Sequence, residues 1–283
     1  MFKQPFTLHT HNNELQFDGR YSAREMIQTA EDLGFKTIGV TNHMITHKKL
    51  TPFLEREPMF FDDYNKAEAA YMKHIEILEN LKSEFKIDIK IGFEVDFFQA
   101  KHWRNFFDKL VTRLPVDYLI SGSHFLKNAD ESFICNIFHL KHLDPQPDAE
   151  TLHQLIVNHY KNVVAAIKSG YFSFIAHLDY TTRLGLGDEP IYDECKYQVL
   201  EAVKETKVPI EINTNGYEQL NRPYPHPWMI KELAKDGGIV PIVLSDDAHF
   251  KERLGQHFDD AEQLLKDLNY TNRFTLDMLK KLV

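Results

Sequence analysis

FTLHTH, residues 6–11, is the stretch on which the reading of this chain turns. It is an apolar, β-branched run of strand length that ends in two imidazoles. Alternation along a strand points His9 and His11 the same way, as paired ligation of one ion requires. Outward from this stretch the same pattern recurs: a short apolar run, a polar cluster, then a longer amphipathic segment. The further runs are residues 37–40 (TIGV), 87–94 (IDIKIGFE), 118–121 (YLIS), 172–176 (FSFIA), 208–213 (VPIEIN) and 239–244 (IVPIVL). Most are flanked by Gly, Pro or Lys/Asp, as strands are.

Helical patterns lie between them. Ser22 and Glu25 have capping-box spacing at the head of SAREMIQTAEDLG, and Gly34 is placed to stop that helix. Residues 62–85, 101–114, 149–169, 191–206, 227–235 and 259–268 read as the other helices. Seven strand–helix alternations imply parallel strands joined by right-handed crossovers, and seven is close to the eight of a closed barrel. The expectation is an α/β fold, a distorted (β/α)7 barrel, as one domain over residues 1–283. Two connections, 44–61 and 125–147, are too long for simple βα loops. Both follow strands and are expected to overhang the C-terminal face, where barrel enzymes keep their sites.

The His and acidic residues fall at that same end of successive strands. Beyond His9 and His11 come His43 after the second run, Glu94 and Asp96 at the end of the third, and His124 after the fourth. His177 and Asp179 follow the fifth; Asp246, Asp247 and His249 follow the last. Six of seven strands thus carry a possible metal ligand at one end, which chance placement does not explain. Imidazole and carboxylate without thiolate suit zinc, iron or manganese. More than four ligands implies more than one ion, and a carboxylate such as Glu94 can bridge two.

The motifs LHTH (8–11), TNH (41–43), GFE (92–94), SGSH (121–124), AHLD (176–179) and SDDAH (245–249) resemble, in order, those of the PHP (polymerase and histidinol phosphatase) metallohydrolases. HTHNNELQFDG near the start and HLDYTTRLG after the fifth strand resemble the histidinol-phosphate phosphatase branch. The resemblance implies a trinuclear centre. His9, His11, Glu94 and Asp247 would hold the first ion; Glu94, His124 and His177 the second; Asp18, His43 and His249 the third. Asp18 departs from many relatives, which have His there, and this bears on metal preference. Register favours Asp247 over its neighbour Asp246, which stays open as the alternative.

The function implied is hydrolysis of L-histidinol phosphate to L-histidinol and phosphate, a step of histidine biosynthesis, with a metal-held hydroxide attacking phosphorus in line. Arg183 and Arg222 are the expected phosphate binders and Arg20 a third candidate, since guanidinium forks match phosphate oxygens. Asp179 or Asp247 would assist the leaving group. Glu211 and Asn213 would orient the site, and His226, between two prolines, could be only a turn residue. Phe53, Phe60, Phe61, Phe133 and Phe138 could close over a substrate, with loop packing the plainer role. The alternatives are a PHP phosphoesterase acting on nucleotides or phosphotyrosine, a non-catalytic metal-binding module, and a zinc amidohydrolase on a related barrel.

Bulk properties narrow the partners. A net charge of −9 without a basic block argues against nucleic acid. No run approaches a membrane span, the N-terminus lacks a signal-peptide design, and two cysteines make no disulfide framework, so a cytoplasmic setting is expected. The partner expected is a small phosphate monoester. Nothing in the sequence sets the oligomeric state.

Overall fold

The seven apolar runs become seven parallel strands. In the computed structural model, described for residues 4–50 and 61–281, the chain begins β1 (Phe6–Thr10), α1 (Ala23–Asp32), β2 (Thr37–Val40), β3 (His43–Met44), α2 (Tyr64–Leu81) and β4 (Asp88–Asp96). It goes on through α3 (Lys101–Val111), β5 (Tyr118–Gly122), β6 (Phe125–Lys127), β7 (Ile134–Asn136), α4 (Ala149–Ser169) and β8 (Phe174–Ile175). The last part is α5 (Asp193–Thr206), β9 (Ile210–Asn213), α6 (Asn215–Leu220), α7 (Pro227–Lys235), β10 (Ile242–Ser245) and α8 (Phe258–Asp267).

The sheet order is β1-β2-β4-β5-β8-β9-β10, with the two-residue β3 extending the pairing on β4. Every pairing in this sheet is parallel, and helices flank it. The sheet curls into a nearly closed barrel. Across the seam, β1 meets the end of β10 through a bridge from Thr10 to Ala248, with His11 N donating to Ala248 O at 2.9 Å. Lower down, the side-chain amide of Gln4 does the work of a strand: Nε2 donates to Leu244 O at 2.7 Å and Oε1 accepts from Leu244 N at 3.0 Å.

The barrel interior is a packed apolar plug of Phe6, Leu8, Tyr118, Ile120, Phe174, Ala176 and Val243, with Phe274 from the C-terminal segment. Tyr118 reaches across it and donates to Leu8 O at 2.6 Å. Gly39 makes the room: a Cβ there would lie 2.0 Å from the Tyr118 hydroxyl. The larger core fills the layer between strands and helices. On α1 the capping box forms as the spacing predicts, Ser22 Oγ accepting from Glu25 N and Glu25 Oε2 from Ser22 N. The helix buries Ala23, Met26, Ile27 and Ala30; full burial of Met26 and Ile27 is worth about 1.5–3 kcal/mol each.

Several boundaries differ from the sequence reading. Pro209 and Pro241 lack N–H groups and sit before β9 and β10 rather than inside them, where their carbonyls accept from Ile175 N and Ile210 N, both at 3.0 Å. The short helix α6 was not expected. Residues 125–147 are not a plain loop: β6 and β7 pair as an antiparallel hairpin, followed by a short 3-10 helix Ile137–His142. The triplets FLK and ICN each open on a residue that favours strands and flank a polar turn. Of 44–61, residues 51–60 with Phe53 and Phe60 lie outside the described residues. Phe61 packs edge-on to Tyr71 at 5.6 Å. Among the described residues no helix is long and apolar enough to cross a membrane.

Candidate metal centre

The ligand array begins with an irregularity in β1. Phe6 and Leu8 fill the barrel, so strict alternation would turn His9 and His11 away from it. The pairing of β1 with β2 shifts register between Thr7 and Thr10, and this bulge resets the parity so that both imidazoles also face inward at the mouth. Glu94, on the inner face of β4, is fully buried. Gly122 lets it lie against β5: a Cβ there would come within 2.8 Å of Glu94 Oε1 and His124 Cε1. His177 and Asp247, just past β8 and β10, have φ of 21° and 48°. Such left-handed backbone in non-glycine residues is strained and concentrates at functional sites.

These side chains converge. Glu94 Oε1 lies 2.8 Å from His177 Nε2 and 3.3 Å from His124 Nε2; Oε2 lies 3.0 Å from His43 Nδ1 and 3.3 Å from His9 Nε2. Asp247 Oδ1 lies 3.1 Å from His11 Nε2 and 3.4 Å from His9 Nε2. Asp18 Oδ2 lies 2.9 Å from His249 Nε2 and 3.3 Å from His43 Nε2. All nine residues expected as ligands thus come together in overlapping groups: His9, Glu94 and His177; His9, His11 and Asp247; His43, Glu94 and His124; and His11, Asp18, His43 and His249. Asp246 is not among them. Its Oδ2 accepts from Gly255 N at 2.7 Å, and burial pushes its carboxyl up to about 7.

The donor set fits cations. Buried atoms His9 Nε2, His11 Nδ1 and Nε2, His43 Nδ1 and Glu94 Oε2 make no hydrogen bond despite this crowding, which is costly unless a ligand satisfies them. Burial, and then the neighbouring His249 and His43, lower His11 to about 3, which keeps it neutral and ready to ligate. Burial alone would raise Glu94, but His124, His9 and His43 hold it well below the usual carboxylate range. Burial works against charge on His9 as well, yet Glu211, Asp247 and Glu94 together raise it.

Outer carboxylates fix the rings. His9 Nδ1 pairs with Glu211 Oε1 at 2.6 Å, and His124 Nδ1 with Asp96 Oδ2 at 3.0 Å, which leaves each Nε2 for the cluster. Glu211 Oε2 also accepts from His177 N at 3.1 Å, and Asn213 Nδ2 donates to Asp247 Oδ2 at 3.1 Å. The orienting role expected of Glu211 and Asn213 is what these contacts describe. Asp96, within the GFEVD run, went unassigned.

A cavity of about 370 Å³ opens over the array. His43, His124, Asp247, His249 and Asp18 form its floor, and Phe17, Phe138 and Tyr180 part of its walls. Arg183 and Arg20 line it as expected. Arg183 Nη1 donates to the Tyr180 hydroxyl at 3.2 Å, with its guanidinium 5.0 Å over the Phe138 ring. Arg20 N donates to His249 O at 3.0 Å, and its guanidinium stands 5.9 Å from the Phe250 ring. Arg253, missed in the sequence, is a third cation in the wall, bonded to Asn215 Oδ1 at 3.2 Å. Its place four residues past His249, on the same loop, was the available signal.

Two expected residues lie elsewhere. Arg222 does not line the cavity: it donates to Thr182 Oγ1 at 3.0 Å and pairs with Asp188 at 3.3 Å and Asp179 at 3.4 Å. Asp179 is buried against that guanidinium and His226 N, also off the cavity. Two carboxylates and a hydroxyl close to a loop arginine explain the difference, and sequence spacing does not reveal them. His226 caps α7, Nδ1 accepting from Trp228 N at 3.2 Å. Phe133 packs in the cluster under the hairpin.

A model of the PHP domain matches residues 7–215. The chain belongs to the PHP domain family. The PHP match takes in all of the array except Asp247 and His249, which the β10 end adds. The chain is 26% identical over 250 residues to a protein of Deinococcus radiodurans described as a probable histidinol-phosphatase, covering 87% of this chain and 86% of that one. It is 21% identical over 263 residues to a Thermotoga maritima protein of the same description, with 93% and 92% covered. Among solved structures, histidinol phosphate phosphatase of Lactococcus lactis, complexed with zinc, L-histidinol and phosphate, superposes with a TM-score of 0.68 at 18% identity, over 98% of this chain and 99% of that one. The superposition matches the barrel of this PHP chain.

Proposed function

We propose that the chain is a metal-dependent phosphomonoesterase whose substrate is L-histidinol phosphate, released as L-histidinol and phosphate. The observation that carries this reading is the set of nine imidazole and carboxylate side chains converging under one cavity walled by arginines. The names of the relatives support the substrate.

Three divalent ions, of zinc, iron or manganese, are the proposed complement. His9, His11, Glu94 and Asp247 would hold the first, Glu94, His124 and His177 the second, both deep, and Asp18, His43 and His249 the third, outer one. Bound there, the ions would supply an activated water and offset charge on the phosphoryl oxygens. The chain's own groups do the rest. Arg183 and Arg20 hold the phosphoryl group by charge-assisted hydrogen bonds, while Arg222 braces Asp179 and the turn that carries Arg183. Burial keeps the Tyr180 hydroxyl protonated well above its ordinary range. Since that oxygen already accepts from Arg183, its O–H is left to donate to an ester or phosphoryl oxygen. Burial works against charge on Asp247, but His9, His11 and His249 hold it ionised, which suits it to accept a proton from water and not to deliver one to the leaving group.

Phosphate release should be measured against histidinol phosphate, p-nitrophenyl phosphate and nucleoside monophosphates, with bound metal determined on the same sample. The expected result is a preference for histidinol phosphate. Preference for nucleotides by orders of magnitude overturns the substrate, and no release above a His177→Ala control overturns the activity.

A further inference from the structure

The hairpin β6–β7 is rooted at its base on the imidazole and carboxylate array, where Ile137 N donates to His124 O at 2.8 Å. At the end of β7 and directly past it, Asn136, Phe138 and His139 line the cavity. At its tip the hairpin carries Glu131, a buried carboxylate in left-handed backbone with φ of 54°.

Every partner of that carboxylate is a donor. Lys127 Nζ, itself buried, pairs with Oε1. Gln99 N donates to Oε1 at 2.7 Å and Ala100 N to Oε2 at 3.0 Å, at the start of α3. His47 Nε2 lies 3.1 Å from Oε2, and because its Nδ1 accepts from Lys49 N at 3.1 Å, Nε2 must carry the proton and donate. Burial opposes the charge, but His47 and Lys127 hold Glu131 down at about 2.

One carboxylate therefore ties three segments: the loop that follows ligand His43, the hairpin that follows ligand His124, and the entry to α3. The first two segments supply Ile45 and, from the hairpin, Asn136, Phe138 and His139 to the cavity wall. We infer that Glu131 is a positioning residue that sets the hairpin wall of the cavity, and through it selectivity for the leaving group, without touching substrate or ions. An all-donor shell makes the role specific to a carboxylate. In Glu131→Gln the amide NH2 must face a donor, whichever way it turns.

The kinetic part rests on the phosphatase reading; the test has a second arm that does not. For metal-loaded full-length Glu131→Gln, KM for histidinol phosphate should rise about tenfold or more, kcat should change less than about threefold, and bound metal should stay at the wild-type level. Amide hydrogen exchange across residues 134–139 should quicken about tenfold, whether or not the wild type hydrolyses anything. Lys127→Met, which removes one donor only, should move both readouts the same way but less, and carries the test if Glu131→Gln does not fold. Loss of metal and kcat together with KM unchanged overturns the inference, as does exchange at 134–139 that stays at the wild-type rate in both variants. A wild type that releases no phosphate overturns the reading of function while the exchange arm still decides the role of Glu131.

Discussion

The two ends of the ligand array are built differently. At the deep end, His9, Glu94 and His177 have fully buried side chains, and the backing carboxylates Glu211 and Asp96 hold His9 and His124 in one tautomer. At the outer end, the Asp18 side chain is 41% exposed and that of His249 20%. Asp18 comes from a loop, and His249 Nδ1 is backed by the Asp247 carbonyl at 2.9 Å. Ligands held by buried carboxylates stay in place between binding events; ligands on a loop must be ordered anew each time. The deep positions should therefore hold ions tightly and the outer position should exchange.

The largest effect tests the deep end. Glu94→Gln removes a charge that faces five imidazoles, and both activity and bound metal should fall to background, read by phosphate release and elemental analysis. Substantial metal retained in that variant would break the comparison. Glu211→Gln comes next: the ring of His9 loses its anchor, and metal affinity should weaken about 10- to 100-fold in a chelator competition. Asp18→Asn should cost less, lowering only the readily exchanged fraction of metal. Equal losses from Asp18→Asn and Glu211→Gln would show that the two ends do not differ.

Acidity sharpens the same contrast. In metal-stripped protein, His9, His43, His124 and His249 sit above their ordinary 6.5, so their stabilisation is full below 6.5 and fades as pH rises through the folded values. Glu94, Asp18 and Asp247 sit below the ordinary 4.5 and 3.8, so theirs is full above those values and fades as pH falls. His11, lowered to about 3, works against stability below 6.5 but within the array is outnumbered by those four. The array's own contribution to the stability of stripped protein should thus be greatest between pH 4.5 and 6.5, whereas the gain from added metal should grow with pH as protons leave the ligands. Melting curves with and without chelator at pH 5.5 and 8.5 check both trends. A metal effect that shrinks toward pH 8.5 would contradict the ligand assignment. The smallest change lies away from the array: Ser22→Ala removes the α1 cap and should cost about 1 kcal/mol in urea unfolding, with activity per folded molecule unchanged.

Much of this was legible in the sequence because strand ends are marked by apolar runs and ligands by residue type. His9, His43, Glu94, His124 and His177 follow from those two signals alone, whereas Asp247 does not, because they leave Asp246 open beside it. What escaped is what depends on contact between distant segments. Arg222 looks like any loop arginine until Asp179, Thr182 and Asp188 close around it. Asp96 is a strand-end acid until His124 turns toward it. The bulge in β1 leaves no mark in FTLHTH, although both the apolar plug and the paired imidazoles need it. The hairpin inside 125–147 is too short to stand out against a polar stretch.

The seam at Gln4 has a practical side. One side-chain amide stands in for a strand there, so the N-terminal arm is part of the barrel wall. A fusion partner or tag joined at that end must leave Gln4 free to reach Leu244, and a truncation past it takes two hydrogen bonds from the joint.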